Sequence, residues 1–450
     1  MPTVEDMFSL PDFSRCRHST RWVDFFARVA ERISPATLCS ITLACTRSAA
    51  ALECSNLNFT AVNNGSLQIY EPCTFLHTDG VNTVKNQLIV NEDSDYYYCC
   101  PTRGGLYQLD AGKLNSHFVD VRGHFAQSGG LHTNDQTVQV HGNYRLSGGA
   151  LGSPFVYVDG MGAFTQSGGT NTAQRVFVDQ RAAFNLNGGT LATSNSTVSG
   201  GDRSMPTTNR ASFTQTSGTH VVQNAVTVDG IFRLNGGTLS APSLTINPDG
   251  DLWLAGGILN NSDQFTMYDS VCYAQGQQPN LGKLYVRLGL LSRTTNANVT
   301  TLDLMGGSTV LRFKDSRDAS SEWNGRLAIR NWSGSTNGGG TDQVFVGTTA
   351  QGLTSAQLQR ISFYNPEGLP PGTYPARILA TGEIVPGGGG PSVGYSRMSR
   401  GLVLSWSGNY QLWTTTNLVS PWSLIAGATS PYTNSFTSPK RFFKLRSPTP

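Results

Sequence analysis

Between residues 106 and 263 the chain alternates apolar and polar positions in short bursts, and the bursts return at a nearly fixed interval. One burst reads aromatic-x-(Leu or Gln)-x-Gly-Gly. Phe125, Gln127, Gly129 and Gly130 are followed by Tyr144, Leu146, Gly148 and Gly149, then by Phe164, Gln166, Gly168 and Gly169. Further versions stand at 107–112, 184–189, 213–218, 232–237 and 252–257, making eight copies. Counted from residue 111, successive copies lie 18, 19, 20, 20, 29, 19 and 20 residues apart, and the long step marks an insertion around 200–210. A fixed period of this length is the mark of a stacked-repeat architecture.

Most copies are preceded by a second alternating pair: Val119/Val121, Val138/Val140, Val156/Val158, Val176/Val178, Val226/Val228 and Leu244/Ile246. Period-two apolar positions built from Val, Phe and Tyr predict β-strands, because alternate side chains of a strand leave opposite faces. Asp159-Gly160, Asp229-Gly230 and Asp249-Gly250 read as turns between the strands, and Gly-Gly permits the bend that follows. A further inward residue comes next at Leu114, Leu151, Leu191, Leu239 and Leu259, so each unit holds two to three short strands.

Twenty residues at ~3.3 Å each trace about 65 Å, enough for one coil, and such coils stack ~4.8 Å apart. The pattern therefore predicts an all-β, right-handed parallel β-helix, the hand following the preference of parallel crossovers. Phe164 should lie against both Tyr144 and Phe184 on parallel strands. Leu at 109, 146, 186 and 234 alternates with Gln at 127, 166 and 215, which makes two rungs the repeat. If these Gln side chains point inward they need partners, since an unpaired buried amide costs about 1–3 kcal/mol.

Residues 1–52 read as a signal peptide or disordered leader: a mildly apolar run at 33–46 follows Arg28 and Arg32 and precedes Ala49-Ala50-Ala51. Seven of the eight cysteines precede residue 101 and none forms a C-x-x-C pair, which speaks against zinc. In an exported chain Cys54, Cys73, Cys99 and Cys100 are free to form disulfides. Residues 53–105 are expected to cap the solenoid, 106–263 to form its regular rungs, and 264–386 its last rungs and end cap. In that last stretch strands remain readable at 302–304, 310–313, 327–329 and 344–346. Thr354-Ser355-Ala356-Gln357 has capping-box spacing for one short helix. A Gly/Pro linker at 387–394 leads to a small β-sandwich-like module at 395–450.

On Gln166-Ser167-Gly168-Gly169-Thr170-Asn171-Thr172 and Phe184-Asn185-Leu186-Asn187-Gly188-Gly189-Thr190-Leu191, the chain resembles bacterial secreted proteins of the autotransporter-passenger type, with the autotransporter-associated β-strand repeat. Asn331-Trp332-Ser333-Gly334, Gly372-Thr373-Tyr374 and Gly382-Glu383-Ile384-Val385-Pro386 extend the likeness, which covers roughly residues 106–447. The resemblance implies an extracellular or surface-attached β-helix with no assigned chemistry. Unlike true autotransporters, this sequence is not expected to carry an outer-membrane barrel, whose strands would be ~10 residues each.

Composition narrows the function classes. Only 14% of residues are charged, and glycine accounts for 50 of 450, which excludes coiled coils, helical bundles and highly charged disorder. The absence of a ~20-residue apolar run predicts no transmembrane helix. A net charge of +3, thinly spread, gives no footing for nucleic acid.

Phase alignment brings Arg122, His141, Asp159, Asp179, Asp229 and Asn247 to equivalent positions. Asp159, Asp179 and Asp229 form a candidate polar column, though Asp and Asn at corners also serve simply to begin turns. His117, His124, His132 and His141 crowd adjacent rungs and read as surface polar residues rather than metal ligands. Trp406, Trp413 and Trp422 are candidates for stacking on sugars, against the need of a small module for its own core.

The expectation is a secreted or cell-surface, adhesin-like structural β-helix. It should be monomeric, without catalytic residues, cofactor or metal, and its partners would be extracellular polysaccharide or cell-surface polymers. The competing expectation is a polysaccharide lyase, glycosidase or carbohydrate-binding protein on the same scaffold.

Overall fold

The recurrent burst folds as a four-residue strand, and everything from the Gly-Gly turn to the Val pair folds as one longer strand. In the central coil these are Ala163–Gln166 and Thr170–Val178. The long strand merges the two outer segments of the sequence pattern because its alternation slips once, at paired outward positions such as Asp135/Gln136 and Gln174/Arg175. The strand continues through the slip in the same sheet, and pairing between several neighbouring coils shifts register there, as between Gly152 and Phe155.

A computed structural model describes residues 61–63, 65–69, 74–91, 104–200, 206–289 and 299–387, and then 393–398, 401–406, 410–419, 421–435 and 440–446. The expected leader and the seven N-terminal cysteines lie outside the described residues. Two parallel ladders run along the chain, one of the longer strands from Val81–Val90 through Asp342–Val346 and one of the shorter strands from Thr74–His77 through Ile361–Tyr364, and the three-residue strands Ala61–Asn63 and Leu67–Ile69 pair onto the first of the longer ones. The chain is a parallel β-helical solenoid.

Phe164 pairs in register with Tyr144 and Phe184, its ring 4.7 Å from each and nearly parallel to both. The same column runs unbroken through Phe75, Tyr107, Phe125, Tyr144, Phe164, Phe184, Phe213 and Phe232, with successive centroids 4.5–4.9 Å apart. That separation is the interstrand spacing itself, so backbone pairing and ring stacking are satisfied together. The turn glycines are required for two different reasons. A Cβ on Gly168 would sit 2.2 Å from the Ser147 carbonyl oxygen of the coil beneath, whereas Gly169 has φ +64°, in the left-handed region.

The inward glutamines turn their Nε2 groups to the turns. Gln127 Nε2 donates to Ala150 O at 2.9 Å, Gln166 Nε2 to Thr190 O at 2.9 Å, and Gln215 Nε2 to Thr238 O at 3.0 Å. Each amide also reaches the second turn glycine of its own coil. A second polar residue joins each Gln coil at the inward position after the turn: His132, Asn171 and His220. The intervening coils place Leu114, Leu151, Leu191 and Leu239 at that register. Polar and apolar layers thus alternate through the coil of Leu234 and Leu239, with two coils as the repeat, and the next coil breaks the alternation by setting Leu254 and Leu259 against them.

The insertion within the 29-residue step ends on Arg210, which is 3% exposed. Its Nη1 lies 2.5 Å from Asp251 Oδ2, and its Nη2 donates to the carbonyls of Gly230 and Asp249. One buried guanidinium therefore ties the insertion to the next two coils. At the far end, Thr373–Ile378 and Glu383–Pro386 pair antiparallel with the last coil and with each other, ending the parallel stack. Thr354 and Gln357 form a capping box on the short helix Ser355–Leu358. The C-terminal module is two three-stranded antiparallel sheets meeting on Leu404, Leu412 and Leu445.

Candidate functional site

The polar column divides into three separate groups. His141 Nδ1 is 2.5 Å from Asp159 Oδ1 and its Nε2 is 3.9 Å from Asp120, which Arg122 also contacts at 3.0 Å. The hydrogen bond to Asp159 holds the His141 pKa above its ordinary value. Asp179 accepts from the Gln180 backbone N–H at 2.7 Å and from the Tyr157 hydroxyl at 3.3 Å. Asp229 accepts from Asn247 Nδ2 at 2.8 Å, and burial raises its carboxyl pKa. Asp159, Asp179 and Asp229 are each engaged by neighbours, and the three do not converge on one point.

Of the four crowded histidines, His117 pairs with Asp135 at 2.6 Å on the surface. His132 corrects the surface reading: it is fully buried, stacked on Phe125 with centroids 5.2 Å apart. Its register is that of Leu114 and Leu151, an inward position, and the alternation of the strand decides its side. Among the described residues no three His, Cys, Asp or Glu side chains gather as a metal site requires.

In the C-terminal module two tryptophans carry cations. Lys444 Nζ lies 4.0 Å from the Trp422 ring and Arg446 Cζ 4.8 Å from that of Trp413. Trp406 packs against the Leu404 cluster.

A different aromatic pair borders an open cleft of about 740 Å³ on the outer face of the short-strand sheet. Trp253 and Tyr273 are the middle outward residues of Asp251–Leu254 and Val271–Ala274, paired in register. Their rings stack with centroids 4.0 Å apart, and Arg233 lies 5.8 Å over the Trp253 ring. In the next coil the same register holds Asp303, a short side chain that ends the aromatic stack.

Loop length makes the cleft. In the regular coils a few residues turn this corner, whereas downstream the chain takes 304–308, 331–341 and 365–372 to do so. These loops build a wall beside the low Trp253–Tyr273 coils, with Met305, Asn331, Ser333, Asn365 and Glu367 on it. Asp303 Oδ1 accepts from Asn331 Nδ2 at 2.7 Å and from Met305 N–H at 3.0 Å, while Oδ2 accepts nothing from a described residue. Glu367 is exposed, and its carboxylate has no hydrogen-bond or ion-pair partner among the described residues. Trp332, 1% exposed, also lines the cleft, and its indole N–H has no described partner.

Sequence reasoning passed over this cleft, yet a signal existed. The position taken by Trp253 holds Ala126, Arg145, Thr165, Asn185 and Thr214 in earlier coils, so a large aromatic there breaks the outward pattern. The chain matches no family model, and no curated protein or solved structure is significantly similar to it.

Proposed function

We propose that the chain is an adhesin-like structural protein, secreted or held at the cell surface, of the bacterial autotransporter-passenger type. It acts by presenting a stiff rod to extracellular polymers, with no chemistry of its own. The observation behind this reading is the continuity of the stack. Twelve long strands in succession pair in parallel, a rise of roughly 50 Å at ~4.8 Å per coil. Each coil bonds its neighbours along both of its strands, so the outer faces keep fixed positions along the rod.

Accessibility on whole cells tests display. An epitope in the C-terminal module of the full chain, expressed in its native host, should be stained by antibody and cut by added protease without lysis. Labelling only after lysis would overturn the surface reading, and recovery from the medium would favour secretion.

A second reading has one observation in its favour: two carboxylates, Asp303 and Glu367, border the same aromatic-lined cleft. A polysaccharide-active enzyme would use such a pair as acid and base. New reducing ends or unsaturated products after incubation with glucan or pectate would establish that reading against the structural one.

A further inference from the structure

We infer that the Trp253–Tyr273 cleft is a binding site for a neutral, β-linked hexopyranose glycan. The inference deepens the adhesin-like reading by naming where and what the rod grips, and it stands whether or not the rod reaches the cell surface.

Three features point to this ligand class. The first is the platform. Trp253 and Tyr273 are half-buried on a sheet face where the earlier coils carry small or polar residues. Their stack ends at the open side, because the following coil contributes Asp303 instead of a third ring. An aromatic surface partly withdrawn from water attracts a ligand face bearing only C–H bonds. A β-gluco pyranose, with its hydroxyls equatorial, has such a face on both sides.

The second feature is the ring of polar groups around that platform. Asp303 Oδ2, the Glu367 carboxylate, the Asn365 side chain and Ser333 stand along the wall. Hydroxyl groups at a sugar's rim donate to carboxylates in charge-assisted hydrogen bonds, which are stronger than those between neutral groups. Asp303 is already oriented by its bonds to Asn331 and Met305, so little freedom is lost on engaging a ligand.

The third feature is charge. Asp303 and Glu367 are the carboxyl side chains lining the cleft, and no Lys or Arg stands among its described lining residues. A uronate would bring like charge against them and be disfavoured. A volume of about 740 Å³ lies inside the range of about 300–1,000 Å³ typical of small-ligand sites. The open side lets a chain run past without ending there.

The test uses the purified full chain with cellohexaose and, separately, hexagalacturonate, read by tryptophan fluorescence and calorimetry. Cellohexaose should bind, and hexagalacturonate should bind at least tenfold more weakly. Trp253→Ala should abolish binding, and Asp303→Asn should weaken it at least fivefold, with both variants melting as the parent does. If Trp253→Ala melts early, Asp303→Asn and Glu367→Gln carry the test, since both side chains reach solvent. Absence of cellohexaose binding, tighter hexagalacturonate binding, or cellohexaose binding untouched by these variants would each overturn the site. Cleavage of bound cellohexaose would uphold the site while overturning the non-catalytic reading, so the two can fail separately.

Discussion

Two coils carry the same polar pair inside the rod, Gln127 with His132 and Gln215 with His220, yet only one of them closes its hydrogen-bond network. In the first, the Tyr144 hydroxyl from the following coil donates to Gln127 Oε1 and meets His132 Nδ1, each at 3.0 Å. The far nitrogen of His132 reaches Ser116 Oγ at 2.9 Å, and Ser116 in turn takes a bond from Asn134. In the second coil Ser196 Oγ, 3.0 Å from His220 Nε2, fills the role of Ser116. The residue in register with Tyr144 is Phe232, so His220 Nδ1 and Gln215 Oε1 have no partner among the described residues. One hydroxyl separates a satisfied polar layer from an unsatisfied one, within backbones of the same kind.

The largest effect should come from cutting the ring column that runs between these two coils. Phe164→Asp would place an unpaired carboxylate where the side chain is fully buried, at a cost of about 3–5 kcal/mol. Hydrogen exchange should then show the strands around Gln127 opening independently of those around Gln215, whereas uniform protection would contradict the inward placement of Phe164.

Acid should act next. Burial pushes both His132 and His220 down to about 3 from 6.5, so the folded chain keeps them neutral while the unfolded chain takes up protons. Stability therefore falls as pH drops from 6.5 towards 3, by about 1.4 kcal/mol per pH unit per histidine, and levels off below the folded value. His132→Leu and His220→Leu, which copy the neighbouring Leu layers, should each remove one proton's worth of that slope in urea titrations run at several pH values. Unchanged slopes would mean the two imidazoles are protonated in the fold.

Tyr144→Phe should make the first coil resemble the second. It strands His132 Nδ1 and Gln127 Oε1 for a loss of about 1–3 kcal/mol. The smallest change runs the other way: Phe232→Tyr should supply the missing hydroxyl and raise stability by about 1 kcal/mol. Chemical denaturation of the two variants side by side decides the matter, and equal effects of the same sign would show that the hydroxyl is not what distinguishes the coils.

Much of this was legible in the sequence because stacking copies a position every twenty residues. The aromatic column, the parallel register at Phe164 and the two-coil repeat follow from phase, whereas phase leaves the direction of the Gln side chains open and their burial decides it. His132 was misplaced because its residue type was read without the phase that sets it beside Leu114 and Leu151. The two outer strand segments merge because a one-residue slip of alternation is absorbed within one continuous strand, a detail that spacing alone leaves open. The cleft was hidden for another reason. It arises from three loops of unequal length, 304–308, 331–341 and 365–372, stacked over coils with short turns. No single loop reveals it.

The alternation of layers has an evolutionary corollary. A gene that lengthens or shortens by one coil sets two Gln layers or two Leu layers against each other, and every contact between them must be renegotiated. Gain or loss of a coil pair restores the original neighbours. Homologous rods should therefore differ in size by multiples of roughly forty codons, with odd-numbered changes confined to the irregular C-terminal coils.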